Sequence, residues 1–143
     1  MMNQREVTSI LLAGVGGQGI LKASDIMCEV LMAAGCDVKK SEVHGMAQRG
    51  GCVTSHVRYG HKVYSPLEKA GSVNVLLSFE KMEVLRYLHY LDTESAIIVN
   101  SEKINPPAVN IGASHYPIDF ISNLQKKFRL VQEIDAATLA KKA

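Results

Sequence analysis

The sequence predicts an α/β protein, a three-layer Rossmann-like domain with a mostly parallel sheet and an inserted antiparallel β-hairpin region at about residues 36–65. Strand-length apolar runs alternate with segments of helical spacing, and a glycine turn joins the first strand to the first helix. A central segment instead alternates apolar and polar residues. With 143 residues, 47% of them hydrophobic and 21% charged, residues 1–143 are expected to form a single domain.

The first unit is strand, turn and helix. Residues 7–13 read V-T-S-I-L-L-A, a run typical of a buried parallel strand. Residues 14–19 read G-V-G-G-Q-G and form the turn. Apolar residues then recur at helical spacing over residues 20–34, and Gly35 is the expected stop of that helix.

The middle of the chain predicts antiparallel structure. Residues 37–43 form a candidate second strand, and residues 44–51, H-G-M-A-Q-R-G-G, carry three glycines and favour a loop. Residues 52–59 alternate as a strand does, with a turn at Gly60 and His61. Residues 62–65 are expected to return as the hairpin partner.

Alternation resumes in the second half. Residues 73–79 predict a strand, and residues 80–91 predict an α-helix with Glu80 and Glu83 in its first turn. The apolar stripe of this helix is Met82, Leu85, Leu88 and Leu91.

The last third predicts two more strands and two helices. Residues 96–100 and 130–134 are the strands, and the Pro106-Pro107 pair between them is expected to interrupt regular secondary structure. Pro117 is expected to open a helix that reaches Phe128, and Asp135 to cap a final helix.

Composition excludes several classes of protein. No apolar run is long enough for a transmembrane helix, and residues 1–6 lack the apolar stretch of a signal peptide. The three cysteines, Cys28, Cys36 and Cys52, form no C-x-x-C pair, which disfavours iron–sulfur and zinc-ribbon sites and fits reduced thiols in the cytoplasm. No nucleic-acid or membrane partner is expected.

Charge is concentrated in the centre of the chain. Residues 36–64 hold five basic and two acidic residues, a net +3, while the rest holds 11 basic and 12 acidic residues, a net −1. Two interpretations stay open: a solvated strand face, or a local site for an anion.

The glycine turn fits G-x-G-x-x-G through Gly14, Gly16 and Gly19. Glycine lets the backbone approach a phosphate, and free amides at the helix start point at it. The alternative interpretation is that the glycines only allow the strand and the helix to pack closely. An NAD or FAD site would need an acid for the ribose about 20 residues further on. Asp37 and Glu42 bracket that place, but neither ends a clean strand.

The second candidate segment is residues 41–51, S-E-V-H-G-M-A-Q-R-G-G. Arg49 can bind a phosphate or carboxylate through two hydrogen bonds. The alternative is a long hairpin connection with solvent-facing polar residues, and His44 is more often structural than catalytic. Cys52 and His56 would lie about 13 Å apart at roughly 3.3 Å per residue, too far for one metal ion. The sequence therefore predicts no metal site and no catalytic residue.

Both segments, in this order, resemble the gamma-type subunit or domain of 2-oxoacid:ferredoxin oxidoreductases, and indolepyruvate-type members above all. The second segment is much more specific than the glycine turn. The resemblance covers essentially the whole chain. Domains of this type usually continue through another strand and helix, so the chain is expected to be truncated at its C-terminus.

The resemblance implies an accessory subunit of a heteromeric, cytoplasmic enzyme that is inactive alone. The complex decarboxylates a 2-oxoacid on thiamine diphosphate, passes electrons through iron–sulfur clusters to ferredoxin and forms an acyl-CoA and CO2. Thiamine diphosphate and the clusters are expected only on partner subunits, in a dimer of heteromers. The chain has no G-D-G thiamine motif and no cluster cysteines, which agrees.

The resemblance also implies the site. The gamma-type domain is associated with coenzyme A and lies against the thiamine-bearing subunits. The motif match assigns eight residues to the ligand or the interface: Gly16, Gly17, Gln18, Gly19, Gln48, Arg49, Gly50 and Gly51. Two alternatives stay open: a stand-alone Rossmann-like NAD or FAD module or dehydrogenase, and a purely structural subunit.

Overall fold

The computed structural model describes residues 6–45 and 50–143, which build one six-stranded sheet with helices on both faces. The strands are β1 (Thr8–Val15), β2 (Asp37–His44), β3 (Cys52–Gly60), β4 (Val73–Ser78), β5 (Leu91–Asn100) and β6 (Leu130–Ile134). The helices are α1 (Ile20–Ala33), a 3-10 helix (Met82–Tyr90), α2 (Pro107–Asn110), α3 (Phe120–Lys127) and α4 (Ala136–Lys142).

The sheet is mixed, with strand order β2-β3-β1-β4-β5-β6. The pairs β1–β4, β4–β5 and β5–β6 are parallel, whereas β1–β3 and β2–β3 are antiparallel. The antiparallel pairs come from the segment between α1 and β4. The predicted fold class is therefore confirmed: a mostly parallel α/β sheet with an inserted β-hairpin.

Two apolar clusters, one on each face of the sheet, form the core. On one face, Leu12 and Val57 pack with Ile20 and Cys28 of α1. On the other face, the sheet packs against the 3-10 helix and α3. The fully or nearly fully buried residues there are Leu11, Ala13, Val73, Leu76, Val84, Leu91, Ile97, Val99, Leu124 and Phe128. Because neighbouring residues of β1 point to opposite faces, the strand contributes to both clusters.

The predicted hairpin partner at residues 62–65 is wrong. The strand β3 already pairs with β1 on one side and with β2 on the other, so it has no free edge for residues 62–65. Side chains hold this segment instead. The amide of Val63 donates to Asp37 Oδ2 at 2.8 Å, and Arg58 Nη1 donates to the carbonyl of Ser65 at 2.7 Å.

The predicted α-helix at residues 80–91 is a 3-10 helix over Met82–Tyr90. Three residues per turn bring Val84, Tyr87 and Tyr90 onto the core. Glu80 lies before the helix, where its Oε2 accepts a hydrogen bond from the amide of Glu83 at 2.9 Å.

The later boundaries also differ from those expected. The strand β5 begins at Leu91, five residues before the predicted 96–100, and the proline pair opens the short helix α2 with Pro107 in its first turn. The next helix, α3, begins at Phe120 rather than at Pro117. The predictions for residues 130–134 and for the cap at Asp135 are confirmed, since Asp135 Oδ1 accepts a hydrogen bond from the amide of Thr138 at 3.0 Å.

Candidate functional site

The glycine turn links the carboxyl end of β1 to the first turn of α1. Gly17 and Gly19 have φ values of 98° and 85°, in the left-handed region that favours glycine. Gly19 is the N-cap of α1, so no side chain caps the helix, and its first turn contains no acidic residue. The amides at this helix start are therefore open to an anion.

A backbone hydrogen bond joins the two segments singled out in the sequence. The amide of Gly16 donates to the carbonyl of Gly51 at 2.9 Å. Gly50, beside it, has a φ of 77°, again left-handed. Of the eight predicted site residues, six lie in the described part of the chain; Gln48 and Arg49 lie outside the described residues and stay predictions.

The side chain of Gln18 is fully engaged with the protein. Its Oε1 accepts a hydrogen bond from the amide of Val15 at 2.8 Å, and its Nε2 donates to the carbonyl of Phe79 at 3.0 Å and to Glu102 Oε2 at 2.9 Å. Gln18 thus ties the turn to the ends of β1 and β4. A role for Gln18 toward a ligand stays a prediction.

Two cavities meet at Gly16 and Gly17 and differ in charge. The larger has a volume of about 790 Å³ and carries the carboxylates of Glu102 and Asp135; it is lined by Gly16, Gly17, Gln18, Phe79, Asn100, Ser101, Glu102, Ile104, Asp135, Ala136 and Ala137. The smaller, of about 370 Å³, lies at the start of α1 and is lined by Gly16, Gly17, Gly19, Ile20, Leu21, Lys22, His44 and Val53. Of these two cavities, the smaller suits an anion better, because it combines the uncapped start of α1 with Lys22.

The positive charge of residues 36–64 is mostly neutralised by nearby carboxylates. Lys40 pairs with Asp25 and Glu42, and these hydrogen bonds raise the pKa of Lys40 and lower that of Glu42. Lys39, Lys62 and Arg58 also pair with carboxylates. This arrangement favours the strand-face interpretation of the segment.

The acids proposed for a ribose do not lie where a dinucleotide site needs them. Asp37 begins β2, at the end of the sheet remote from the glycine turn, where Val63 N and Lys39 hold the pKa of its carboxyl at about 2. Glu42 is engaged with Lys40. The antiparallel strand β3 also separates β2 from β1, whereas the dinucleotide-binding unit places these two strands side by side.

Sequence reasoning missed a buried acidic centre. Glu80 is fully buried and accepts hydrogen bonds from Tyr116 Oη at 2.6 Å and from the amide of Ile104 at 3.1 Å. Burial and this hydrogen bond raise the pKa of Tyr116. A glutamate just after an apolar strand was the available signal, but the amphipathic pattern around it indicated an exposed helix start.

Glu83 lies beside Glu80 and is also buried. Its Oε1 accepts a hydrogen bond from Arg86 Nε at 3.0 Å and lies 3.8 Å from Cys52 Sγ. Burial, and secondly the charge of Glu83, raise the pKa of Cys52, so this thiol is not activated as a nucleophile. Within residues 6–45 and 50–143, no three histidine, cysteine or acidic side chains are placed to hold a metal ion.

Known proteins with similar sequences are subunits of oxidoreductases. Subunit IorB of indolepyruvate oxidoreductase from Archaeoglobus fulgidus is 42% identical over 94% of this chain and 68% of its own length. The common gamma subunit of the pyruvate/ketoisovalerate oxidoreductases of Pyrococcus furiosus is 27% identical over 89% of this chain and 63% of its own. The chain spans 54–69% of the length of the IorB relatives it matches.

Two solved structures share the fold. A pyruvate oxidoreductase subunit of Thermotoga maritima gives a TM-score of 0.64 at 18% identity, with 96% of this chain and 67% of that chain covered. The 2-oxoglutarate:ferredoxin oxidoreductase of Magnetococcus marinus, a structure with 2-oxoglutarate, coenzyme A and succinyl-CoA bound, gives 0.67 at 17% identity, with 96% and 21% covered.

The sequence relatives and the family match, together with the shared fold, identify a gamma-type domain of 2-oxoacid:ferredoxin oxidoreductases. The chain belongs to the pyruvate ferredoxin/flavodoxin oxidoreductase family, which matches residues 9–143. None of the helices in the described ranges has the length and hydrophobicity that crossing a bilayer requires.

Proposed function

We propose that the chain is the small, gamma-type subunit of an indolepyruvate-type 2-oxoacid:ferredoxin oxidoreductase and is not catalytic alone. The observation that carries this proposal is the identity of 42% to an indolepyruvate oxidoreductase subunit over 94% of the chain, against 27% to a pyruvate/ketoisovalerate gamma subunit. In this proposal, thiamine diphosphate and the iron–sulfur clusters lie on partner subunits, which carry out the decarboxylation and pass electrons to ferredoxin.

The proposal gives the chain a part in binding coenzyme A. Coenzyme A is a polyanion, and the start of α1 supplies amides that no side chain caps, together with Lys22. The larger cavity fits its phosphates poorly, because Glu102 and Asp135 would repel them. The residues that would hold the phosphates are therefore those of the smaller cavity, and the larger one would receive an uncharged part of the ligand or of a partner.

A charge reversal at Lys22 tests this assignment. In the reassembled complex, Lys22→Glu should raise the KM for coenzyme A about tenfold, because a phosphate then meets a negative charge at the helix start. Lys126→Glu, on the exposed side of α3, is the matched control and should leave that KM unchanged. If Lys22→Glu changes neither the KM nor assembly, the turn is a packing device and the coenzyme A assignment is wrong.

Thermal unfolding of the free chain separates this proposal from a stand-alone dinucleotide module. A ligand at 100 times its dissociation constant adds about 2.7 kcal/mol to the free energy of unfolding. Stabilisation by NAD, NADP or FAD but not by coenzyme A would overturn the proposal. Turnover of a 2-oxoacid by the chain alone, with thiamine diphosphate, coenzyme A and a dye acceptor, would overturn it as well.

A further inference from the structure

The strand β2 forms one edge of the sheet. Its inner side pairs with β3 over its whole length, from Asp37 opposite Gly60 to His44 opposite Val53. No strand in the described part of the chain pairs with its outer side, and all eight residues of β2 are at least partly exposed. Such an edge presents unpaired amide and carbonyl groups that can template another strand.

Two features that protect many edge strands, a proline and a β-bulge, are missing from β2. Its sequence, D-V-K-K-S-E-V-H, contains no proline, and its pairing with β3 runs without a bulge. Two lysines and two acidic residues cancel, so the strand carries no net charge to repel a second one. Val43 is 58% exposed at its outer end.

The charge pattern of β2 fits a copy of itself. Two identical antiparallel strands in one sheet are related by a two-fold axis perpendicular to the sheet. One residue therefore faces its own copy across the axis, and the residues before it face the residues after it in the other copy. Four such registers align five or more residues of β2, with the axis at Lys39, Lys40, Ser41 or Glu42. In three of them a charged residue faces its own copy. Only the axis at Ser41 avoids this.

The Ser41 register also creates complementary pairs. Lys40 of each copy faces Glu42 of the other, which gives two opposite-charge pairs across the junction. Lys39 of each copy faces the exposed Val43 of the other and can cover it with its aliphatic stem.

We infer that β2 is a self-association edge: two copies of this chain pair antiparallel through β2 around Ser41 and continue one sheet across both copies. This interface lies at the opposite end of the strand order from β6, and His44, at the end of the paired segment, is the one β2 residue that also lines a cavity at the glycine turn. The substitutions that test the interface lie at residues 40–43, outside the lining of both cavities.

Disulfide trapping tests the register. With the axis at Ser41, the two Ser41 Cα atoms lie about 5 Å apart, within the range that a disulfide spans. The two Val43 Cα atoms, on the same face, lie about 14 Å apart. Under mild oxidation Ser41→Cys should become mostly a covalent dimer. The fraction of covalent dimer in Val43→Cys should equal that of the unsubstituted chain. The unsubstituted chain shows how much linking occurs through the native cysteines. Equal linking of both variants, or none in Ser41→Cys, would overturn the inference.

Charge reversal with rescue tests the pairing in solution. Lys40→Glu places like charges opposite each other twice, and should raise the dimer dissociation constant about tenfold in sedimentation equilibrium. The double variant Lys40→Glu/Glu42→Lys restores opposite charges and should return the dissociation constant to within about twofold of the original.

Lys40 also pairs with Asp25 and Glu42 within its own copy, so the melting temperature of each variant is measured beside its mass. A double variant that melts normally but does not dimerise would overturn the inference. An unsubstituted chain that stays monomeric up to about 100 μM would overturn the inference as well. That result would hold even if β2 pairs with a different subunit in the assembled complex.

Discussion

Gln18 Nε2 lies 2.9 Å from Glu102 Oε2, a hydrogen bond that joins the glycine turn to a loop 84 residues further along the chain. The same amide donates to the carbonyl of Phe79, and the side-chain oxygen accepts from Val15. One side chain therefore holds the ends of two parallel strands and the loop after β5. The shape of the larger cavity depends on it.

Replacing Gln18 with alanine should lower the free energy of unfolding by about 1–3 kcal/mol, because it removes three hydrogen bonds and leaves the amide of Val15 without its partner. Urea unfolding measures this loss. The comparison variant Glu102→Gln keeps an acceptor for Gln18 and should cost less. Unchanged stability of Gln18→Ala combined with weaker binding of coenzyme A would make Gln18 a ligand residue instead.

Two glycines of the turn should respond to substitution for different reasons. At Gly17 a Cβ would meet no atom within 4 Å, but φ is 98°, so Gly17→Ala should cost about 1–2 kcal/mol in backbone strain. At Gly14 a Cβ would lie 2.8 Å from both Gln18 Oε1 and Ile20 Cδ1, so Gly14→Ala should cost about 1–3 kcal/mol in overpacking.

Asparagine separates the two mechanisms, since it tolerates left-handed backbone but is larger than alanine. Melting temperatures should show Gly17→Asn recovering part of the loss and Gly14→Asn deepening it. The opposite ranking would contradict both explanations.

The buried carboxyl of Glu80 should be a strong determinant of stability. Glu80→Ala leaves the hydroxyl of Tyr116 and the amides of Ile104 and Glu83 without their acceptor, and should cost about 3 kcal/mol. Tyr116→Phe removes one of these bonds and should cost about 1 kcal/mol. Denaturant unfolding tests both, and a Glu80→Ala loss no larger than that of Tyr116→Phe would contradict the role given to Glu80.

Stability should fall as the pH drops below about 6.5, the ordinary pKa of histidine. Burial lowers the pKa of His56, an effect that the charge of Glu68 opposes. Protons then bind the unfolded chain more readily than the folded one, so the contribution is fully present above 6.5 and is lost as the pH falls through the lowered pKa.

Between pH 7.5 and 5, the melting temperature should therefore fall less steeply with decreasing pH in His56→Gln than in the original chain. Asp37 acts in a separate window, because its stabilising effect is present above about 3.8 and is lost only as the pH falls toward its lowered pKa of about 2. Parallel slopes above pH 5 would exclude His56 as the cause.

The first unit of the fold could be predicted because its signals are local. The apolar run of β1, the glycine turn and the stop of α1 each lie within a few residues, and so does the cap that Asp135 provides for α4. Residues 62–65 have the composition of a strand, but whether they can pair depends on distant parts of the chain. The strands β1 and β2 occupy both edges of β3, so no partner edge is left.

The sequence of the 3-10 helix contains a periodicity that distinguishes it from the predicted α-helix. The stripe Met82, Leu85, Leu88, Leu91 has a strict spacing of three, which is the period of a 3-10 helix. The residues that pack onto the core, Val84, Tyr87 and Tyr90, have the same spacing. At the candidate site, the joining of the turn to Gly51 could be predicted only through the family resemblance. Of the two acidic residues that line the larger cavity, Asp135 was predicted only as a helix cap, and Glu102, in the loop after β5, was marked by no motif.

The strand order has a consequence for how the chain is made. The central strand β1 is synthesised first, at residues 8–15, yet its two neighbours are β3 at residues 52–60 and β4 at residues 73–78. On the ribosome, both edges of this apolar strand can be closed only after residue 78 has emerged. Until β4 emerges, one edge of β1 therefore stays open to pairing with another chain, and unpaired strand edges of this kind favour aggregation.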